Sequence, residues 1–487
     1  MSPAAPPLRR QLLRRKPLAS FQHDSEQGRL KRTVGLFQLT MIGIGATIGT
    51  GIFFVLNSAV PEAGPAVVVS FVIGAVTAAL TAFCYAELAS AVPVSGSSYS
   101  YAYATLGEFA AYAVGWCLLL EYAVSGAAIA VSWGQYLNDF TERVFGFQIP
   151  AAVAAPPGAG GYVNLPGAVL VALCCLLLIR GAKESATVNT VMVLVKLGIL
   201  MLFVAVAVTG FRSSNLHPFA PMGMAGIGAA ASTVFFSFIG LDAVSTAGEE
   251  VKNPRRTLPL AIIYSLSVIT AMYMLVALVG VGSQPWTAFA DQQAGLSAIL
   301  ADVTGSSRPA TLLSAGAVLS IVSVVLVVLY GQTRILYTMG RDGMLPALFH
   351  RVHPGSGTPV ASTMAVGVLV AVLAAVVPLD ELADLTSMGT LVAFTVVSVG
   401  VLVLRRTAPD LQRGFTVPGY PATPVLSVAC CGYLIHKLPA HTYLLFTVWM
   451  VLATVVYLTY SRHHSRLQTA DGVGGDLHPV TQLDPAP

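Results

Sequence analysis

Long uncharged stretches recur along the chain and divide it into apolar segments of similar length. Crossing a hydrocarbon core of about 30 Å takes roughly 20 residues of α-helix. The run Val322–Leu329 does not alternate apolar and polar positions as a transmembrane β-strand does. The pattern therefore predicts an all-α polytopic membrane protein with twelve transmembrane helices. We place these spans near residues 36–56, 66–89, 109–137, 165–181, 187–211, 225–248, 257–282, 310–338, 359–378, 385–404, 421–436 and 440–460.

The composition agrees with a membrane protein and excludes several other classes. The chain has 487 residues, of which 55% are hydrophobic and 10% are charged, whereas a soluble protein carries about 25% charged residues. A soluble enzyme, a nucleic-acid binder and a disordered scaffold are therefore disfavoured. All six cysteines fall within predicted spans, without a CxxC pair, and the nine histidines lie in tails, in loops or at span ends. We predict no metal site, no cofactor and no enzymatic activity.

The positions of the basic residues predict the orientation in the membrane. If the N-terminus is cytoplasmic, 21 lysines and arginines fall on the cytoplasmic side and only Arg143, Arg212, Arg308 and Lys437 on the other. Lysine and arginine favour cytoplasmic loops, so we expect both termini in the cytoplasm and the chain in the plasma (inner) membrane. The formal net charge of +4 then reflects topology and not affinity for nucleic acid.

The spans group into a simple organisation along the chain. A basic cytoplasmic tail precedes spans 1–5, which are followed by spans 6–10, a loop with spans 11 and 12, and a polar C-terminal tail. The composition of the C-terminal tail predicts a disordered cytoplasmic segment. The predicted boundaries are 1–35, 36–211, 212–405, 406–461 and 462–487.

The first span contains four glycines in nine residues, from Gly43 to Gly51, which is unfavourable for a continuous helix. A dinucleotide-binding fingerprint is excluded because Ile48 occupies a position that requires glycine. Two interpretations remain open. Gly45 and Gly49 could form a close-packing helix face, or the segment could unwind and expose backbone N–H and C=O groups to a ligand.

The sixth span has a matching irregularity, in which Gly240, Asp242, Ser245 and Thr246 follow an aromatic run. Broken helices five spans apart indicate an inverted-repeat transporter, with spans 1–5 matched by spans 6–10. The ends of broken helices attract charged groups: free N–H groups attract a carboxylate and free C=O groups attract an ammonium. A site of this kind suits an α-amino acid.

Three charged residues lie well inside the predicted spans: Glu121, Lys196 and Asp242. A charge at the centre of a membrane costs roughly 2.5–3.5 kcal/mol on insertion scales, so each residue needs a partner or a function. Lys196 is either a permanent ammonium bound to backbone carbonyls or a titrating proton site shared with Glu121. Asp242 either orients the broken part of span 6 or titrates.

Several segments resemble the amino acid–polyamine–organocation superfamily, and within it the cationic amino acid transporter branch with its bacterial relatives. The resemblance extends from about Gly35 to Ser465. It rests on the glycine-rich stretch of span 1, on the Pro-Val-Ser-Gly-Ser-Ser-Tyr stretch between spans 2 and 3, on the residues around Asp242, and on two stretches after span 8. These are residues 45–53, 93–99, 238–254, 331–334 and 341–346. One departure is visible, since Ser97 follows Gly96 where many members have a second glycine, as in the cationic branch.

The resemblance implies a LeuT-type fold with a 5+5 inverted repeat and two extra C-terminal helices. It implies a substrate site at the two breaks. The substrate carboxylate would bind the backbone of Thr50 and Gly51, and the ammonium would meet carbonyls near Thr47, Ile48 and Phe236. The expected substrate-binding residues are Thr47, Ile48, Gly49, Thr50, Gly51, Phe236, Ile239 and Asp242.

The resemblance also implies roles in ion coupling. Lys196 falls where sodium-coupled relatives bind sodium, which favours proton coupling, and Glu121 matches the span 3 acid that supports transport. We predict a proton-coupled, sodium-independent permease that imports L-amino acids by alternating access. An exchanger, an arginine or lysine carrier, and a non-transporting amino acid sensor remain alternatives. Span 8 offers three candidate pocket residues: Ser320, Ser323 and Val327.

Overall fold

The structure is a computed structural model that describes residues 11–17, 34–49, 51–92, 96–180, 186–248, 250–290, 292, 294–353 and 358–466. These residues form helices and connecting loops, with one isolated β-bridge between Val34 and Val251 and no β-strand. The α-helices are α1 Leu36–Thr47, α2 Gly51–Ala63, α3 Val67–Ala91, α4 Ser97–Thr105, α5 Glu108–Phe145, α6 Ala151–Ala154, α7 Leu165–Ile179, α8 Ala186–Ala207, α9 Gly223–Phe235, α10 Ala243–Thr246, α11 Pro254–Ser283, α12 Gly295–Thr304, α13 Ser307–Arg341, α14 Val360–Val376, α15 Leu379–Thr407, α16 Ala422–Lys437, α17 Ala440–Val456 and α18 Arg462–His464.

Within the described residues, eight helical stretches are long and apolar enough to cross a membrane. They are Gly51–Ala91, Glu108–Phe145, Thr187–Gly210, Gly223–Thr246, Pro254–Ser283, Ser307–Arg341, Leu379–Thr407 and Ala440–His464. Shorter apolar helices occupy Leu36–Thr47, Leu165–Ile179, Gly295–Thr304 and Val360–Val376. The protein is therefore an all-helical integral membrane protein, while the count of twelve spans stays a prediction.

The helices differ from the predicted spans in several details. The helical segment of span 1 continues to Ala63 and is joined to α3 by the 3₁₀ turn Gly64–Ala66. The third span is 38 residues long, about 57 Å at 1.5 Å per residue, so it extends beyond the membrane core. Helices α4 and α12 were not expected from the sequence. Helix α16 matches predicted span 11, but it is only 16 residues long and ends with the basic residues His436 and Lys437.

The long helices α5, α11, α13 and α15 build the scaffold around the irregular ones. Helix α5 packs against α13 and α15, and α11 packs against α1 and α3. The two short, broken segments of spans 1 and 6 lie inside this frame, since α2 packs against α9 and α10 packs against α1. The scaffold therefore holds both breaks in the middle of the molecule.

Residues near the two chain ends meet on one face, which we call the terminal face. The Lys16 ammonium lies 3.3 Å from an Asp342 carboxylate oxygen, and the Ser465 hydroxyl donates to Glu108 at 2.8 Å. Helix α4 belongs to this face because the Lys16 N–H donates to the Tyr103 carbonyl. The opposite side, where α2 ends at Ala63, is called the distal face. The predicted tails beyond these segments, including 467–487, lie outside the described residues.

Candidate functional site

A small cavity lies where the two broken spans meet, and we call it the central cavity. Its volume is about 40 Å³, enough for a few water molecules, so it must widen to hold an amino acid. Residues of spans 1, 3, 6 and 8 surround it. They are Ala46, Thr47, Gly49, Gly51, Glu121, Tyr122, Ser125, Ile129, Phe236, Ile239, Gly240 and Val328.

The break in span 1 follows the glycine-rich stretch that the sequence singled out. Helix α1 ends at Thr47 and α2 begins at Gly51. A Cβ on Gly51 would lie 2.7 Å from the Ser237 Cα, and one on Gly45 would lie 2.7 Å from a Val193 methyl. The two open interpretations therefore apply to different glycines. Gly45 packs closely against α8, whereas Gly49 and Gly51 lie at the break and line the cavity.

The break in span 6 depends on the conformation of one glycine. Helix α9 ends at Phe235, a 3₁₀ turn covers Phe236–Phe238, and α10 begins only at Ala243. Gly240 has a φ of +97°, and a Cβ there would lie 2.7 Å from the Ala46 carbonyl oxygen. Only glycine adopts this conformation and allows this approach without strain. The close contact brings the two breaks together.

A tyrosine of α11 connects the two breaks directly. The Tyr273 hydroxyl lies 3.0 Å from the Thr47 carbonyl oxygen and 2.9 Å from the Ser237 carbonyl oxygen. Its side chain is fully buried. One backbone carbonyl from each break therefore accepts from the same tyrosine hydroxyl. Nothing in the sequence distinguishes this tyrosine from the others.

Three buried polar atoms beside the cavity have no hydrogen-bond partner among the described residues. They are the Thr47 Oγ1, the Ser237 Oγ and the Asp242 Oδ1. Leaving a buried polar group unsatisfied costs about 1–3 kcal/mol. Three such atoms at the meeting point of two broken helices indicate a site that binds a polar ligand.

The two carboxylates predicted inside the membrane lie on either side of Tyr122. Glu121 lines the cavity and is 2% exposed. Asp242 is equally buried and accepts hydrogen bonds from the Tyr122 hydroxyl at 3.2 Å and the Ser97 hydroxyl at 3.4 Å. Asp242 therefore does not line the cavity itself, but it is hydrogen-bonded to Tyr122, which does. These bonds hold the start of α10 against α4 and α5.

Lys196 lies behind the first break and does not line the cavity. Its side chain is 1% exposed, and its Nζ donates to the Gly45 carbonyl oxygen at 3.2 Å. That carbonyl belongs to the last turn of α1, where the helix dipole is negative and favours a cation. The structure thus places the lysine at the backbone of span 1, while Glu121 lies at the cavity itself.

The structure brings most of the predicted site residues together. Thr47, Gly49, Gly51, Phe236 and Ile239 line the cavity. Ile48 does not line the cavity; it is fully buried, and its N–H donates to the Ile44 carbonyl. Thr50 lies outside the described residues.

One residue of span 8 lines the cavity, and it is not among the three candidates proposed from the sequence. Val328 lines the cavity, whereas Ser320, Ser323 and Val327 do not. The Ser320 and Ser323 hydroxyls instead donate to carbonyls three residues earlier in their own helix. These two hydroxyls are therefore satisfied within their own helix.

A second cavity of about 460 Å³ lies on the distal face, and we call it the distal cavity. Phe54 lines it, while Phe236 lines the central cavity. The two rings pack edge to face with centroids 5.4 Å apart. This aromatic pair therefore separates the two cavities.

Comparisons with known proteins agree with this architecture. The amino acid permease family model matches residues 34–464. The "Methylthioribose transporter" of Bacillus subtilis (strain 168) is 43% identical over 460 residues, covering 94% of this chain and 99% of that protein. The "Branched-chain amino acid permease BcaP" of the same organism is 45% identical over 442 residues, covering 90% and 95%. The "Cationic amino acid transporter 4, vacuolar" of Arabidopsis thaliana is 39% identical over 408 residues, covering 82% and 68%.

The family match covers most of the chain, and the two Bacillus subtilis relatives, named as a transporter and a permease, match over nearly their whole length. The protein is accordingly a transporter and not an enzyme. The sequence-based assignment to the amino acid–polyamine–organocation superfamily is confirmed. The chain belongs to the amino acid permease family.

Proposed function

We propose that the protein imports L-amino acids across the plasma membrane by alternating access, coupled to protons and independent of sodium. The observation that carries this proposal is the meeting of two broken helices at a cavity with three unpartnered polar atoms, on Thr47, Ser237 and Asp242. Helix ends supply complementary partial charges for both groups of an α-amino acid.

The α-carboxylate and the α-ammonium of the substrate would bind at the two helix breaks. The carboxylate lies at the start of α2, where Gly51 offers the positive end of a 13-residue helix. The ammonium lies near the carbonyls of Thr47, Ile48 and Phe236. The backbone approach at Gly51 is possible because its missing Cβ leaves room beside the Ser237 backbone.

The substrate's side chain would meet an apolar wall. Ile129, Ile239 and Val328 line the central cavity, and burying apolar surface favours binding by roughly 25 cal/mol per Å². We therefore assign neutral, apolar amino acids as substrates. The name of the branched-chain permease relative supports this choice, whereas that of the Arabidopsis relative supports a cationic substrate, which the uptake assay below also tests.

Lys196 and Glu121 would couple transport to protons. The Lys196 ammonium occupies the C-terminal end of α1 and supplies a positive charge there without a sodium ion. Loss of its proton would release α1 from α8 and let span 1 move. Glu121 faces the substrate space and is placed to sense both the substrate and the proton.

Alternating access would use the fold of two matched halves. Twelve spans in a 5+5 inverted repeat with two additional helices would place both termini in the cytoplasm. The terminal face is then cytoplasmic and the distal face external. The Phe54–Phe236 pair would part to admit substrate from the distal cavity, and the terminal-face contacts would part to release it.

Uptake into proteoliposomes tests the proposal. Labelled L-leucine, L-arginine and L-lysine are offered with an inward proton gradient, with an inward sodium gradient and with neither. We expect proton-driven leucine uptake. Sodium-driven uptake that ignores the proton gradient contradicts the coupling, and faster arginine than leucine uptake contradicts the substrate class.

The variant Lys196→Ala tests the coupling residue. We expect net uptake to fall to background while the protein still folds, because α1 loses the cation at its C-terminal end. Lys252→Ala is the matched control, since Lys252 is exposed on the terminal side, and it should transport normally. If Lys196→Ala keeps the pH dependence of the wild type, Lys196 does not titrate.

A further inference from the structure

Helix α4 contacts both the break in span 6 and the terminal face. All nine of its residues are buried, although seven of them carry a hydroxyl group. Burying a hydroxyl group without a hydrogen bond is unfavourable. The partners of these hydroxyls therefore indicate which parts of the molecule the helix connects.

Two tyrosines attach α4 to the terminal face. The Tyr99 hydroxyl donates to an Asp342 carboxylate oxygen at 2.9 Å, and the Tyr103 hydroxyl donates to a Glu108 carboxylate oxygen at 3.4 Å. The two tyrosines are four residues apart and share one face of the helix, where their rings pack edge to face with centroids 5.7 Å apart. The segments near the two chain ends contact the same two acids. A movement of α4 would therefore disturb the contacts of both segments.

The first residue of α4 contacts the break in span 6 instead. The Ser97 hydroxyl donates to the Asp242 Oδ2 at 3.4 Å, and the same oxygen accepts from Tyr122, which lines the central cavity. The Ser245 hydroxyl lies 3.0 Å from the Ser97 hydroxyl oxygen and 2.6 Å from the Asp242 carbonyl oxygen. Ser97, Asp242 and Ser245 are all at most 2% exposed. One buried cluster therefore joins the start of α4 to the start of α10.

The backbone conformation of Ser97 is unfavourable for a serine. Its φ is +48°, and among the described residues Asn253 is the other non-glycine residue with a positive φ. Asparagine adopts this conformation more readily than most residues, whereas the Cβ of other L-residues comes too close to the backbone there. Glycine would adopt it without strain. What serine adds at this position is its hydroxyl group.

We propose that Ser97 is a positioning residue that couples the substrate site to the terminal face. Its hydroxyl binds Asp242 at the start of α4, and Tyr99 and Tyr103 bind the acids of the terminal face from the same short helix. A shift of Asp242 during transport then moves α4 and weakens the terminal-face contacts. The coupling is a property of the folded chain, and only its consequence for uptake rests on the proposed function.

Hydrogen–deuterium exchange of the full-length protein in lipid nanodiscs tests the coupling without a ligand. Asp242→Asn alters the break, and peptides covering α4 and residues 340–345 report on the terminal face. In the wild-type background we expect Asp242→Asn to speed exchange in these peptides about tenfold, as the loss of one hydrogen bond to a charged group predicts. In the Ser97→Gly background the same change should alter exchange by less than about twofold, because the two residues then act independently.

Two further variants separate the hydroxyl from other causes. Ser97→Ala lacks the hydroxyl but keeps the unfavourable backbone conformation, and it should abolish the coupling as Ser97→Gly does. Ser98→Ala is the matched control, because Ser98 is equally buried on α4 but pairs with the Tyr85 hydroxyl. In its background Asp242→Asn should keep its full effect. An equal effect of Asp242→Asn with and without Ser97, or full coupling in Ser97→Ala, would overturn the proposal.

Uptake of labelled L-leucine into proteoliposomes measures the consequence for transport. Ser97→Gly should lower the maximal rate about tenfold and leave KM within about twofold of the wild type, since an interaction that acts after substrate binding affects the rate and not the affinity. A raised KM with an unchanged maximal rate contradicts the coupling role. If the wild type takes up no leucine, the proposed substrate class fails, while the exchange experiment still decides whether Ser97 couples the two regions.

Discussion

Carboxylates at the two faces of the molecule have opposite surroundings. On the terminal face, Glu87 is fully buried and forms a two-pronged pair with Arg405, at 2.8 and 2.5 Å, together with an ion pair to Arg413 at 3.3 Å. It also accepts from the Val417 N–H at 2.7 Å. On the distal face, Asp384 is nearly as buried and has no such partner. The acids that line the distal cavity therefore lack the basic partners that Glu87 has on the terminal face.

This difference shows that the terminal face is packed shut, whereas the distal face contains an open cavity. The contacts of Glu87, Glu108 and Asp342 tie α3, α4, α5 and α15 to loops and to both chain ends. The distal face instead has a cavity of about 460 Å³ beneath unpaired acids. Under the proposed alternating access, the terminal-face contacts must break before substrate leaves. In the structure these contacts hold the terminal face together.

The same carboxyl-to-amide change should lower the free energy of unfolding by different amounts at the two faces. Glu87→Gln leaves the Arg405 guanidinium without its charged partner, and we expect a loss of about 3–5 kcal/mol in the free energy of unfolding. Asp384→Asn removes a charge that has no partner, so its effect should stay within about 0.5 kcal/mol or be stabilising. Thermal unfolding in detergent, followed by tryptophan fluorescence, measures both. Equal losses would show that the two faces do not differ in this way.

Between the two faces, Tyr273 should be the residue that keeps the breaks aligned. Tyr273→Phe removes the donor shared by the Thr47 and Ser237 carbonyls. We expect a loss of about 1–3 kcal/mol in stability and weaker amino acid binding, because the breaks are less firmly positioned. Tyr264→Phe on the same helix is the control, since Tyr264 is exposed. Wild-type affinity in Tyr273→Phe would mean that packing alone positions the breaks.

The breaks could be predicted from the sequence because glycines and an aspartate stand out in apolar runs. Their contacts could not, since the angular position of each helix is invisible in a uniformly apolar span. One partial signal existed: Ser125 and Ile129 follow Glu121 at intervals of four residues, which places all three on one face of α5. Span 8 offered no comparable signal, and the serines chosen there do not line the cavity.

The distal cavity was not predictable for a different reason. Glu62 lies near the end of α2, and Asp380 and Asp384 lie in the first two turns of α15, so in the sequence all three are unremarkable acids near the ends of spans. Only the folded chain brings the end of α2 beside the start of α15. Asp384 becomes unusual when its burial is known, and burial depends on the packing of helices that are distant in the sequence.

The smallest expected effect concerns the N-terminal segment on the terminal face. Lys16→Ala removes the ion pair with Asp342, but Asp342 keeps its hydrogen bond from the Tyr99 hydroxyl at 2.9 Å. Both side chains of the pair are 11% exposed, so we expect a loss of roughly 1 kcal/mol, the upper end for exposed pairs. Lys252→Ala, at an exposed lysine on the same side, should change stability less. A larger loss for Lys16→Ala than for Glu87→Gln would mean that the N-terminal segment, and not the Glu87 cluster, seals the terminal face.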